Sequence, residues 1–342
     1  MLRFVLIFLS VNYLPSILGS PESDAKDLNE ALNGIPNGYN ESVLITVLYE
    51  KTYEQRYKMI EVFRKTYGEE AYNQLWNKIS YPPTELRRGI MDNSSAYYDA
   101  KMLFLAMGFL YYDEHVLFEI MVTRTSQEMR EIKKAYDIIN KDGMDLCGDI
   151  ETVTSGDLED ILLALCEADR DESDRVDEKL ALRDCCLIYE YGPTYIFGTD
   201  EEGINSILFK RNYKQLQLMF EIFSEYRMHA RLATLETRTI ETVISSEYSY
   251  EEEDILQMYI KAVKNRAGYF ADLIREGLTD GAKGERRVIR TIFSRAGNDL
   301  PEIVKEFGGK DKLVESITNS TDLLGFTKQA LIAILNANCE KC

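Results

Sequence analysis

The side chains that most often carry chemistry are few in this chain and poorly spaced for it. Only two histidines occur, His115 and His229, and they lack the paired spacing of a His-based zinc or hydrolase site. There is no G-x-S-x-G, no G-x-x-x-x-G-K-S/T, no H-E-x-x-H and no credible Cys/His pair. An enzyme is therefore not expected. The six cysteines, Cys147, Cys166, Cys185, Cys186, Cys339 and Cys342, allow three disulfides in an oxidising compartment, and the sequence does not choose among the pairings. Cys339-x-x-Cys342 has no second pair or neighbouring His, so it reads as a terminal disulfide or loose thiols and not as a metal or redox motif. What the chain does hold in quantity is carboxylate, with 58 acidic residues against 40 basic ones and a formal net charge of −18.

That balance selects among partners. Counterion release from a nucleic acid needs a basic face, so no nucleic-acid partner is expected. A chain this acidic does not adhere to anionic lipid by charge alone, and a phosphate surface would require a cation in between. The 45% of hydrophobic residues, with 22 Tyr and 14 Phe, supply the buried surface of a folded protein. Seven Pro and 20 Gly are sparse punctuation, which favours long helices over a many-turned β fold.

The first 20 residues have the form of a secretory leader. Arg3 gives a positive start, Phe4 to Leu9 with Val11, Leu14, Ile17 and Leu18 an apolar core, and Gly19 and Ser20 small residues for cleavage. Cleavage near Gly19 removes Arg3 and leaves the mature chain one unit more negative. No later run approaches the ~18 apolar residues of a membrane span. Asn40, Asn93 and Asn319 head N-x-S/T sequons and are the glycosylation candidates.

The elements that position any site emerge from an internal repeat. Lys51, Arg124, Arg211 and Arg295 serve as anchors. Seven residues before each stands Leu44, Leu117, Ile204 or Val288, and three before stands Leu48, Met121, Leu208 or Ile292. Eight after stands Met59, Ile132, Met219 or Ile303, and twelve after an aromatic, Phe63, Tyr136, Phe223 or Phe307. Each pair is one helical turn apart, so every unit holds at least two amphipathic helices facing a shared core. Ten before each anchor is a glutamate, Glu41, Glu114, Glu201 or Glu285, read as a helix-start residue favoured by the dipole. The charge-dense stretch 169–184 lies in the widest gap and is the expected linker between the first two units and the last two.

Four helical units with a longer link after the second resemble the annexin family over about residues 25–337. The second unit carries the resemblance most closely, through Met107-Gly108-Phe109-Leu110-Tyr111-Tyr112-Asp113-Glu114, Leu117 to Thr125 and Thr154-Ser155-Gly156-Asp157. In the third, Phe197-Gly198-Thr199-Asp200-Glu201 is similar to the family's G-T-D-E loop. The resemblance implies an all-α fold of four annexin-type repeats, about five helices each, stacked in a slightly curved disc. With the signal peptide at 1–19 and the charged linker at 169–184 set apart, it divides the chain into repeats at 25–96, 97–168, 185–265 and 266–337.

The resemblance also implies Ca2+ as the cofactor, bound by backbone carbonyls of the loop joining the first two helices of a repeat and by a carboxylate roughly forty residues later. A hard cation takes six to eight oxygens, which a glycine loop and a distant acid can supply while leaving positions open for lipid phosphate. Carried over unit by unit, the first keeps Gly34 and Gly38 but has Lys78 where the acid belongs. The second has Phe109 and Tyr111 for the glycines and Val153 for the acid, with Glu151 two residues off. Both are expected to be fold-only. In the third the ligands are the carbonyls of Thr194, Ile196 and Gly198 with Glu247, and Glu241 and Glu236 are rivals for the acid. In the fourth they are Arg275, Gly277 and Thr279 with Asp322, an insertion around Gly281–Gly284 lengthening the spacing; Asp322 can also be read as a helix cap.

The function so implied is a secreted, calcium-dependent, phospholipid-binding protein associated peripherally with anionic membrane. Leader-bearing annexin-like proteins occur among the secretions of parasitic nematodes, so an effector role on host tissue is implied too. The alternative is a calcium-independent helical scaffold with degenerate loops, binding a protein partner through exposed tyrosines or the insertion at 225–241.

Overall fold

All sixteen apolar residues registered by the repeat are buried, none more than 5% exposed. In the computed structural model the described residues are 19–33, 40–78, 86, 89, 92, 94–108, 111–191, 201–225, 239–248 and 250–339. The leader core, the Gly34–Gly38 loop, Asn93, and Thr194, Ile196 and Gly198 lie outside them, as do Glu236 and Cys342.

Unit one contains α1 (Pro21–Asn33), α2 (Glu41–Tyr49) and α3 (Tyr53–Lys78). Gly68, at φ +83, breaks α3 into two helices, an angle that a Cβ would oppose. Unit two contains α4 (Ser95–Ala106), α5 (Glu114–Thr123), α6 (Ser126–Ile139), α7 (Leu146–Val153) and α8 (Gly156–Cys166). Unit three contains α9 (Glu178–Tyr191), α10 (Glu201–Lys210), α11 (Tyr213–Glu225), α12 (Ile240–Glu247) and α13 (Tyr250–Lys264). Unit four contains α14 (Arg266–Gly277), α15 (Gly281–Arg295), α16 (Leu300–Phe307), α17 (Lys310–Asn319) and α18 (Gly325–Asn338). Among the described residues the one departure from helix and loop is a two-residue antiparallel ladder, β1 (Met107–Gly108) with β2 (Tyr111–Tyr112).

The basic anchors hold each unit's second helix to its first. Lys51 pairs with Asp24 of α1 at 2.8 Å, and Arg211 with Asp184 of α9 at 2.6 and 3.1 Å. Arg124 grips Asp99 of α4 through two bonds of 2.7 and 2.8 Å, both side chains out of water. A planar fork on a carboxylate is the geometry that makes such burial tolerable. Unit four departs from this. Its α14 carries Phe270, which sits beneath both Arg295 (5.2 Å) and Arg124 (5.7 Å). Arg295 turns instead to Asp299 at 2.6 Å and to Glu128 of unit two at 2.7 Å.

Spatial order differs from chain order. Helix α18 packs on α2, which joins units four and one, while α13 packs on α5 and α10 on α8, which joins units three and two. The two pairs meet through α15 and α4, across buried Glu119 and Arg290. The charged segment does not divide the first two units from the last two, as its composition implied; it clamps unit two to unit three. Ser126 N–H donates to Glu172 at 2.6 Å, Arg130 to the Ala168 carbonyl at 2.7 Å, and Arg170 to the carbonyls of Leu208 and Arg211 at 3.0 and 2.9 Å. The far end of the segment 169–184 is helical, as its capacity for i,i+4 pairs allows: α9 begins at Glu178, and Asp184 is spent on Arg211.

Candidate metal centre

The fourth unit brings the distant acid to the loop. Helix α14 runs to Gly277 and α15 begins at Gly281, which takes the left-handed φ of +56. Across this turn Asp322 Oδ2 accepts the Gly281 N–H at 3.0 Å, and its Oδ1 accepts the Thr321 hydroxyl at 3.2 Å. Ser320 ties the same two segments, its hydroxyl donating to the Leu278 carbonyl at 2.8 Å. Asp322 is half-buried and forms no ion pair among the described residues. The neighbouring acids Glu276 and Asp280 share Arg287, each 3.7 Å from its Nη1.

Two expectations for this unit need correction. The residues around Gly281–Gly284 are not a loop insertion; they form the first turn of α15, so Glu285 lies inside the helix rather than at its start. Gly277 is not a plausible loop ligand, because its carbonyl is turned into the neighbouring helix, where a Cβ on Gly284 would stand 2.2 Å from it. Arg275 is likewise in the last turn of α14, with its guanidinium on Asp272 (2.5 Å) and the Glu306 carbonyl (2.8 Å). Thr279 remains on the exposed turn, its hydroxyl on the Glu276 carbonyl at 3.2 Å.

Asp322 does not cap α18. That task falls to buried Glu285, whose Oε1 accepts the Leu324 N–H at 2.9 Å and the Thr327 hydroxyl at 2.7 Å. Neither Asp280, before α15, nor Leu324, before α18, makes a side-chain cap of its own. The two helix starts therefore exchange carboxylates, α15 receiving Asp322 from the turn before α18 and α18 receiving Glu285 from the first turns of α15. Sequence reasoning treated Glu285 as interchangeable with the other three glutamates, and missed Ser320 and Gly284. The glycine pair Gly277 and Gly284 was the available signal of a close helix crossing.

The other loops differ. In unit two the ladder pairs Met107 with Tyr112 and Gly108 with Tyr111, and Asp113 N–H reaches the Ala106 carbonyl at 2.8 Å. The described backbone of this loop pairs with itself. In unit three Glu241, a rival for the acid position, is occupied by an ion pair with Lys264. That pairing and the hydrogen bonds it makes hold the Glu241 carboxyl below its ordinary range although burial opposes them. Glu247 ends α12. In unit one Asn40 caps α2, its side chain accepting the Val43 N–H at 3.2 Å. Asn319 is exposed at the end of α17, beside the Asp322 loop.

A disulfide joins Cys147 of α7 to Cys166 of α8. Cys185 and Cys186 carry thiols, the first buried and pushed up to about 12 by that burial.

The annexin family pattern matches residues 98–165. Human annexin A13 is 31% identical over 315 residues, which cover 92% of this chain and 95% of the relative. Human annexin A3 is 33% identical over 288 residues, 84% of each chain. Among solved structures, annexin III superposes with a TM-score of 0.79 at 29% identity, over 92% of this chain and 94% of that one. Chicken annexin V gives 0.75 at 25% identity, over 93% and 96%. A calcium-bound annexin (Sm)1 gives 0.72 at 22% identity over 92% and 90%, a likeness of fold.

Proposed function

The chain belongs to the annexin family, and from that premise we propose that it is a secreted protein that attaches peripherally to anionic phospholipid through calcium held at the loops of units three and four. The observation that carries this reading is Asp322 on the Gly281 N–H, a carboxylate without a basic partner poised over an exposed helix-joining turn. Asp322 and the carbonyl of Thr279 on the exposed turn would contribute to holding the ion in unit four. In unit three the loop at Thr194, Ile196 and Gly198 would do so with Glu247. Calcium supplies the positive charge that a chain of −18 lacks, and its open coordination positions accept lipid phosphate.

Secretion is supported by the composition of the leader and by the Cys147–Cys166 disulfide, a bond that persists in oxidising compartments. No helix among the described residues is long and apolar enough to cross a membrane. An effector role on host tissue belongs to the same reading. The closed hairpin of unit two favours a second one, in which part of the helical stack is a scaffold for a protein partner without calcium.

Cosedimentation with phosphatidylserine vesicles tests the first reading. Attachment should require calcium, reverse with chelator, and weaken by at least ~tenfold in Asp322→Asn and Glu247→Gln. Calorimetry should count about two calcium ions per chain. Attachment indifferent to calcium, or a count of zero, overturns it in favour of the scaffold.

A further inference from the structure

A cavity of about 350 Å³ lies where units one, two and four meet. Lys51 and Thr52 before α3, Ser94 and Ser95 at the start of α4, Asn298 after α15, and Arg56 contribute to its wall. Arg56 is 2% exposed. Its Nη1 donates to the carbonyls of Leu48 (3.2 Å) and Lys51 (3.0 Å), and its guanidinium lies over the rings of Tyr53 (4.9 Å) and Phe293 (5.0 Å). Nε has no partner among the described residues, and no carboxylate forms an ion pair with the group.

Of the nearby acids, Asp92 acts on Arg56 through space and Glu54 shares the cavity wall, but each is paired with another cation. Asp24 is taken by Lys51, Glu54 by Lys58 and Asp92 by Lys101. Arg170 makes an instructive contrast, since it performs the same task in unit three, bonding the Leu208 and Arg211 carbonyls and lying over Tyr213 and Tyr259. Burial opposes the charge of both; Tyr259, Tyr213 and Glu172 outweigh it at Arg170, whereas at Arg56 it prevails over Tyr53, Tyr49 and Asp92 and pulls the pKa down. A buried cation with no carboxylate in direct contact among the described residues is costly, which makes its site a place for an anion.

Two helix N-termini converge on the same space. Thr52 receives the Gln55 N–H at 3.3 Å and Ser94 receives the Tyr97 N–H at 3.2 Å, so the positive ends of α3 and α4 are formed there. Helix α15 ends at this cavity too, but its carbonyls are occupied: Phe293 accepts the Tyr53 hydroxyl at 2.8 Å and Arg295 the Asn298 N–H at 3.0 Å.

We propose that this cavity binds a tetrahedral oxyanion, the phosphate or sulfate group of a small soluble molecule, with buried Arg56 as its countercharge and the first turns of α3 and α4 as its donors. It lies at the opposite end of α15 from the Asp322 turn, about 22 Å away for 15 residues, and does not involve calcium.

The test is calorimetric titration of the mature chain with inorganic phosphate, in chelator at constant ionic strength. One saturable site per chain is expected. Asn298→Asp, which places a carboxylate on the exposed rim, and Arg56→Lys should each weaken it by at least ~tenfold. Circular dichroism identifies a variant that has failed to fold, and the rim substitution keeps the test informative if Arg56→Lys does so. No saturable phosphate binding, or binding undiminished in folded Asn298→Asp, overturns the proposal. Pelleting with phosphatidylserine vesicles in the same chelator separates the sources. No attachment is expected, and attachment that Asn298→Asp abolishes would overturn the soluble-ligand assignment in favour of a lipid headgroup.

Discussion

Units two and four share one repeat and spend their polar groups differently. In unit two the anchor Arg124 is closed on Asp99, the loop between its first helices is closed on itself as a hairpin, and a disulfide fastens its last two helices. In unit four Phe270 replaces the aspartate, Arg295 is released to bind Glu128 across the interface, and the loop is tied by carboxylates from elsewhere in the unit. A repeat that satisfies itself locally becomes scaffold. One that leaves charged groups to be satisfied at a distance becomes both interface and candidate site.

The largest effect that probes this difference is on the anchor. Asp99→Asn leaves Arg124 buried beside an uncharged amide, and we expect a loss of about 3–5 kcal/mol in denaturant unfolding. Phe270→Leu, at the corresponding position of unit four, strands no charge and should cost less. Equal losses would remove the distinction.

Next comes the interface. Burial would raise the carboxyl of Glu128, but Arg295, Arg124, the Thr125 N–H and Arg266 overcome it and hold it near about 2. A depressed carboxylate stabilises the fold fully above its unfolded value near 4.5 and loses that contribution as pH falls from there to about 2. The contribution is on the order of 3 kcal/mol. Acid unfolding followed across this window should flatten in Glu128→Gln; an unchanged profile would place the acid-sensitive contact elsewhere.

The smallest effect separates glutamates that share one register. Glu285→Ala removes both bonds to the start of α18 and should lower stability by about 2 kcal/mol in thermal unfolding. Glu114→Ala, at the half-buried first residue of α5, should stay within about 0.5 kcal/mol. Similar values for the two would show that the exchange of carboxylates between α15 and α18 contributes nothing particular.

Much of this was legible in residue spacing. Apolar positions at fixed offsets from four basic residues must share one helix face, and all of them proved buried. Unit two, whose loop lacks the glycines and the acid, forms a short ladder there, and Asp322 accepts the Gly281 N–H in unit four. The aspartates that pair with the anchors are also readable, since Asp24, Asp99 and Asp184 precede them by nearly constant intervals. Glu285 was misread because its register matches three helix-start residues while its helix begins a turn earlier, at Gly281.

The sequence by itself determined the helices, their buried faces and the four-fold repetition, because these follow from side-chain periodicity within one turn. Only the tertiary structure decided that unit one packs on four and two on three, that Arg295 reaches Glu128 of a neighbouring unit, and that Arg56 has no ion pair among the described residues. Each of those depends on which groups meet after distant segments pack, and burial then makes every paired or unpaired charge count.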